Sequence, residues 1–237
     1  VGTQSDIVQK EMYSFEDHGK EHLCLRPEGT AGCMRAYLNQ CYRESPFQRF
    51  WYYGPMFRRE RPQKGRLRQF HQFGLEIIGS ANPVADIETI AFMMRIYQRI
   101  GIINFTLKLN SVGGPESRER YKQVLRDYLE PHRSKLSELS QQRLYKNPMR
   151  ILDSKEPEDQ EFIDKAPIIH DYLNEDSALH FEKVKHGLQL LDIPFEIDPY
   201  LVRGMDYYTR TAFELTSPDL GSQDALAGGG RYDLLVE

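Results

Sequence analysis

Between Arg66 and Glu76 the sequence RLRQFHQFGLE alternates in a way that separates two chemistries. On a strand Arg66, Arg68, Phe70, Gln72, Gly74 and Glu76 share one face, while Leu67, His71, Phe73, Leu75 and Ile77 share the other. The first face suits a nucleotide lying beside a polar amino acid. Forked arginine hydrogen bonds take phosphate, Phe70 offers a stacking surface for a base, Gly74 leaves room for ligand, and Gln72 with Glu76 can hold an ammonium or an imidazole. The second face reads as core, with His71 as a satisfied core histidine. The alternative is a hairpin with one wet face, its turn RERPQKGR (residues 59–66) a solvated loop.

Other stretches carry chemistry as well. RPEGT, Arg26 to Thr30, falls where a strand meets a helix start, so free amides and the positive end of a helix dipole are available beside Glu28. RGMDYYTR, residues 203–210, sets a cation close to Tyr207 and Tyr208, with Gly204 allowing a close turn; its ordinary reading is a polar strand end. Gly228, Gly229 and Gly230 form a strand segment without side chains, which is also consistent with a bulge or a weak edge. That run lacks the Lys-Ser/Thr pair of a P-loop.

The elements that must position these residues follow from periodicity. Glu11 to Phe15 and His22 to Arg26 are extended candidates, and Thr30, Cys33, Met34, Tyr37 and Leu38 have helical spacing. Phe50 to Phe57 and Leu67 to Ile78 flank the charged turn Arg61 to Gly65 as a long hairpin. Asn82-Pro83 starts a helix whose buried stripe is Val84, Ile87, Ala91 and Met94, with Gly101 as its C-terminal cap. Phe105, Leu107 and Leu109 alternate as a strand. A charged, helix-favouring stretch then runs to Tyr145, Ser177 to Leu191 aligns Val184, Leu188 and Leu191, and strand patterns return at Tyr200 to Thr216 and Ala225 to Tyr232. The expected organisation is a core (1–112), a helical insertion (113–196) and a second part of the core (197–237).

With 237 residues, 40% hydrophobic and 28% charged, the chain can bury a sizeable core and is neither disordered nor fibrous in composition. A net charge of −4 excludes a surface that is wholly a nucleic-acid footprint, so any RNA contact must be local. Cys24, Cys33 and Cys41 lack the short spacing of zinc pairs and read as reduced thiols, which favours the cytoplasm. The sequence has no run of apolar residues long enough to span a membrane, and no ligand cluster that fixes a metal site. It opens without methionine and stops in a patterned stretch, so both ends read as cuts of a longer chain.

MFRRERPQKGRLRQFHQFGLEIIG, Met56 to Gly79, resembles motif 2 of the histidyl-tRNA synthetases, and LVRGMDYYTRTAFE, Leu201 to Glu214, resembles their histidine signature. RPEGTAG (26–32) and AGGGRYD (227–233) fit the same family in order and spacing. The resemblance implies an α+β fold of the class II aminoacyl-tRNA synthetase type, an antiparallel sheet flanked by helices with a helical insertion. It also implies two-step ligation of L-histidine to histidine tRNA with ATP, brought with Mg²⁺, by a homodimer.

By motif position, Arg58 is expected on the α-phosphate, Glu60 facing the adenine, Arg66 on the outer phosphates and Phe70 stacked on the base. Glu28, Gly29 and Thr30 are expected at the histidine ammonium, with Gln72 orienting the amino acid. Glu76 and Tyr208 are expected to read the imidazole nitrogens, with Tyr207 lining the pocket, and Arg203 is expected to be the catalytic cation. The family's glycine run lets ligand approach the sheet. Motif 1 is expected before Val1, and motif 3 and an anticodon-binding domain after Glu237. Two other readings compete: a histidine-sensing regulatory paralogue of histidine biosynthesis, and a plain RNA-binding module using the basic turn.

Overall fold

The computed structural model describes residues 7–60, 66–203, 207–220 and 224–236. The charged turn at 61–65 and the Gly204, Met205 and Asp206 of the signature lie outside them. The chain divides into two compact units: Val1–Asn104 with Pro218–Asp224 and Leu235–Glu237, and Phe105–Ser217 with Ala225–Leu234.

The first unit opens with a π-helical turn, Ile7–Glu11, and of the extended segment expected at Glu11 to Phe15 the strand β1 takes up only the end, at Ser14–Glu16. It pairs antiparallel with β2, His22–Cys24. The helix α1, Thr30–Ala36, continues into a π-helical turn, Tyr37–Cys41. Then come the long strands β3, Gln48–Phe57, and β4, Gln69–Ile78, antiparallel and in continuous register over their full length. The helix α2, Pro83–Arg99, is capped by the Asn82 side chain, which accepts from Val84 N at 3.0 Å, and it ends against Gly101 at φ +84°. Both ends are where the sequence puts them, since Asn accepts a free amide and glycine tolerates the left-handed exit.

The buried stripe of α2 differs from expectation. Asp86, Ile90 and Met94 are buried, while Val84 is 59% exposed. Val84 sits in the first turn, where a helix is only beginning to meet its neighbours.

A larger correction concerns the hairpin. The face carrying Phe70, Gln72, Gly74 and Glu76 is the covered one, with Glu76 buried, whereas His71, Leu67 and Phe73 are exposed. Residues 26–30 bond to the main chain of β3, through Phe57 N to Arg26 O and Arg26 Nε to Pro55 O, and reach the polar face through Gly29 N to Gln72 Oε1 and Thr30 Oγ1 to Glu76 Oε1. On the opposite face α2 meets only part of the strand pair, through Phe92 stacked on Phe73 at 6.4 Å and Glu88 paired with Arg49 at 2.8 Å. Trp51 and Tyr53 remain open there, and His71 stacks on Tyr53 at 5.4 Å instead of entering a core.

The second unit holds a four-stranded sheet in the order β6-β5-β7-β8, formed by β5 (Thr106–Ser111), β6 (Glu196–Ile197), β7 (Thr209–Thr216) and β8 (Ala225–Arg231). All pairs are antiparallel except the short β5–β6 contact. Between β5 and β6 run α3 (Pro115–Leu129), α4 (Glu138–Lys146), α5 (Pro157–Ile163) and α6 (Glu175–Leu190). Tyr121, Leu125, Met149, Ile163 and Ile169 from this helical stretch pack with Val112, Val202 and Ala212 in one core. Val184 and Leu188 of α6 are buried, but Leu191 lies past the helix end and is exposed.

Asp159 of α5 ties the helical stretch together. Fully buried, it accepts from Ser137 N at 2.9 Å and from the hydroxyls of Ser137, Ser140 and Ser154 at 2.8, 2.6 and 2.5 Å. A buried carboxylate is tolerated when its lone pairs are filled in this way.

Candidate active site

In the first unit the corner before α1 meets the hairpin. Glu28 is buried and places one carboxylate oxygen on Thr30 N at 2.7 Å and the other on Ala31 N at 2.9 Å. It therefore answers the free amides and the positive dipole end of α1. The neighbouring Gly29 N donates to Gln72 Oε1 at 3.2 Å, and Thr30 Oγ1 donates to Glu76 Oε1 at 2.8 Å. Glu28, Gly29, Thr30, Gln72 and Glu76 are thus brought into one hydrogen-bonded cluster, with acceptor-only carboxylates at two of its positions.

The phosphate end of the same face is built differently. Arg58 lies over the Phe70 ring at 5.2 Å and donates Nε to Pro27 O at 2.8 Å. Burial lowers its pKa from the usual guanidinium range, and Glu11, Glu60 and Glu28 oppose that shift. Arg66 is paired with Glu60 at 2.7 Å, so these two candidate nucleotide contacts hold one another.

Gly74 does not leave an opening. The Tyr52 ring, directly opposite it in register, fills the space: a Cβ on Gly74 would lie 2.0 Å from Tyr52 Cζ, and one on Gly29 would lie 2.2 Å from Tyr52 Cε2. Tyr52 was not among the residues singled out from sequence. Its place opposite a glycine in the hairpin register is the signal that marks it.

In the second unit Arg203 Nη1 is paired with Glu214 Oε1 on β7. Its guanidinium lies against Gly228 of β8, where a Cβ would come within 2.5 Å of Cζ. Arg203 Nε is buried without a hydrogen-bond partner among the described residues. Tyr208 packs against Gly230 and Phe213 against Gly229, so the glycine run makes room for side chains of the protein itself. Tyr207 is buried, with its ring 5.3 Å from that of Tyr208 and 6.1 Å from that of Tyr232.

Arg118 of α3, also missed from sequence, donates Nη1 to Tyr208 O at 2.6 Å. The strand entered by this segment is kinked, with a register shift between Thr209 and Ala212 and Arg210 at φ +50°. Irregularities of this kind re-aim side chains at the edge of a sheet.

The histidyl-tRNA synthetase family model matches residues 1–237. The chain belongs to the histidyl-tRNA synthetase family. It is 53% identical to the histidine–tRNA ligase of Synechococcus sp. (strain JA-3-3Ab) over 238 aligned positions, covering all of this chain and 57% of that protein. It is 52% identical to the histidine–tRNA ligase of Streptococcus pyogenes serotype M1, again over the whole chain and 56% of that protein. The chain therefore spans little more than half the length of these curated relatives.

Among solved structures, apo histidyl-tRNA synthetase of S. aureus superposes with a TM-score of 0.74 at 42% identity, covering 93% of this chain and 53% of that one. The fold is the class II synthetase arrangement of antiparallel strands and helices. A Bacillus halodurans protein described as an ATP phosphoribosyltransferase regulatory subunit/histidyl-tRNA synthetase matches with a TM-score of 0.66 at 25% identity, covering 97% of this chain and 63% of that one.

Proposed function

We propose that this chain is the part of a histidine–tRNA ligase that binds ATP and L-histidine and joins them as histidyl-adenylate. The observation that carries the reading is the cluster of Glu28, Gly29, Thr30, Gln72 and Glu76 at the start of α1, on the same hairpin face as Arg58 and Phe70. Glu28, Gly29, Thr30 and Gln72 receive the amino-acid end of histidine. Glu76 accepts from an imidazole nitrogen, and Tyr207 and Tyr208 are the residues that the histidine signature assigns to reading the ring. A site that bonds both nitrogens discriminates by about 10⁴- to 10⁵-fold against a ring lacking them, because its own polar groups would be left unpaired.

Phe70 stacks on the adenine and Glu60 faces it. Arg66 takes the outer phosphates, and the metal arrives as part of the substrate, MgATP. One oxygen of the histidine carboxylate attacks the α-phosphorus, the bond to the bridging oxygen breaks, and pyrophosphate leaves. Arg58 and Arg203 are the cations that stabilise charge on the α-phosphate as the transition state forms. The terminal ribose hydroxyl of histidine tRNA then attacks the carbonyl, forming the ester and releasing AMP.

The parent protein works as a cytoplasmic homodimer, and the helical stretch at 113–196 is an insertion carried by the catalytic core. Identity of 52–53% to histidine–tRNA ligases supports the enzyme over a histidine-sensing regulatory subunit, for which the Bacillus halodurans likeness speaks at 25%. Charging of tRNA with labelled histidine by the full-length protein tests the proposal. Charging with histidine alone among the amino acids is expected, and a protein that binds histidine but charges no tRNA is the regulatory subunit.

A further inference from the structure

Asn110 on β5 is an amide set in an apolar place. It is fully buried and lies opposite Ala212 in the sheet register, and Ala212 belongs to the core that the helical stretch forms with the sheet. A strand position of this kind ordinarily takes an aliphatic side chain, because a buried amide is tolerated only when its donors and acceptors are met.

Asn110 meets all of them. Ser111 N donates to Oδ1 at 2.8 Å, which makes that oxygen the acceptor, so His170 must donate to it from Nε2, also at 2.8 Å. Nδ2 donates to Leu201 O at 2.9 Å and to Pro199 O at 3.3 Å. A side-chain amide has two donors and two acceptor lone pairs, and each has a partner here.

The two carbonyls lie where the chain leaves the sheet. The strand β6 ends at Ile197, Asp198 N still donates to Leu109 O at 3.0 Å, and the chain then turns, with Leu201 N donating to Asp198 O at 3.0 Å. Val202 enters the core, and Arg203 follows with its guanidinium paired to Glu214 and lying over Gly228. The strands β7 and β8 thus hold the far end of Arg203. Asn110 holds the backbone from which that side chain departs.

We propose that Asn110 is a positioning residue for Arg203. By gripping the carbonyls of Pro199 and Leu201 it sets where the Arg203 main chain lies, and so where the guanidinium reaches. The inference rests on the reading of Arg203 given above, as a cation for the α-phosphate.

The test is Asn110→Asp in the full-length protein. The substitution keeps an oxygen for Ser111 and His170 and turns the donating nitrogen into an acceptor that faces two carbonyls. In histidine-dependent ATP–pyrophosphate exchange kcat should fall by about 10- to 100-fold, the scale of a catalytic group displaced by about 1 Å. The KM values for histidine and ATP should stay within about twofold of wild type, since the affected group acts on the transition state.

A double-mutant cycle with Arg203→Ala separates positioning from a merely structural role. If Asn110 acts through Arg203, the double variant should be as fast as Arg203→Ala alone, to within about twofold. Losses that multiply, or a wild-type kcat in Asn110→Asp, overturn the proposal. Should Asn110→Asp fail to fold, Asn110→Ser, which draws the side chain back from both carbonyls without adding a charge, decides it in the same cycle. A wild-type protein whose exchange ignores histidine, or an Arg203→Ala variant with full turnover, defeats the functional reading itself, a different outcome from losses that multiply.

Discussion

Arg203 is paired with Glu214 of β7, and its guanidinium rests against the bare backbone of Gly228. Glu214 and Gly228 are themselves cross-strand partners of β7 and β8. One strand thus supplies the counter-charge that orients the cation, and the next supplies the space in which it lies.

Replacing Arg203 by alanine is expected to lower the rate of adenylate formation by about 10² to 10³, as loss of a group that stabilises transition-state charge does. Histidine affinity, measured by titration calorimetry, should change by only a few fold. Unchanged turnover would mean that the catalytic cation lies elsewhere.

Gly228→Ala makes a sharper prediction. The new Cβ would lie 2.5 Å from the Arg203 guanidinium, which is the far end of a flexible side chain and can swing aside without disturbing the strand. Exchange activity should fall while the urea midpoint of unfolding holds. A large loss of stability with activity per folded molecule preserved would assign the glycine to packing alone.

Glu76→Ala removes the carboxylate that accepts from Thr30 Oγ1. Histidine binding, followed calorimetrically, should weaken by about 1 to 3 kcal/mol or more. Retained affinity would show that this carboxylate does not read the substrate ring.

These sites differ in how far the sequence alone discloses them. The hairpin, the capped start of α2 at Asn82 and its exit at Gly101 follow from local chemistry, and all three stand where the pattern puts them. The sidedness of the hairpin does not follow, because alternation defines two faces without saying which is covered. Here the covering segment is residues 26–30, which bond to the polar groups of the strand and leave Trp51 and Tyr53 open. Gly74 and Gly228 are legible as gaps, but what fills each gap, Tyr52 or Arg203, is fixed by pairing across strands. Arg118 is beyond sequence reasoning of this kind, since its partner is a backbone carbonyl ninety residues away in sequence.

Asp159 gives a stability prediction with a defined pH dependence. Burial alone would raise its pKa, but hydrogen bonds from Ser140, Ser154 and Ser137 outweigh burial and hold it below the ordinary value. A depressed folded-state pKa contributes stability that is present above the unfolded value of about 3.9 and is lost as pH falls through the folded one. Asp159→Ala, which leaves three serine hydroxyls without their acceptor, should destabilise the helical stretch by about 2 to 4 kcal/mol at neutral pH in chemical denaturation. The difference from wild type should shrink in acid below that range. A difference independent of pH would contradict the ionised network.

On the proposed function, residues of this chain activate histidine and no other amino acid. ATP–pyrophosphate exchange by the full-length protein, run with each amino acid in turn, tests it most directly. Exchange with histidine that falls by about 10² to 10³ in Arg203→Ala is expected, whereas exchange with another amino acid, or none with histidine, would rule the reading out.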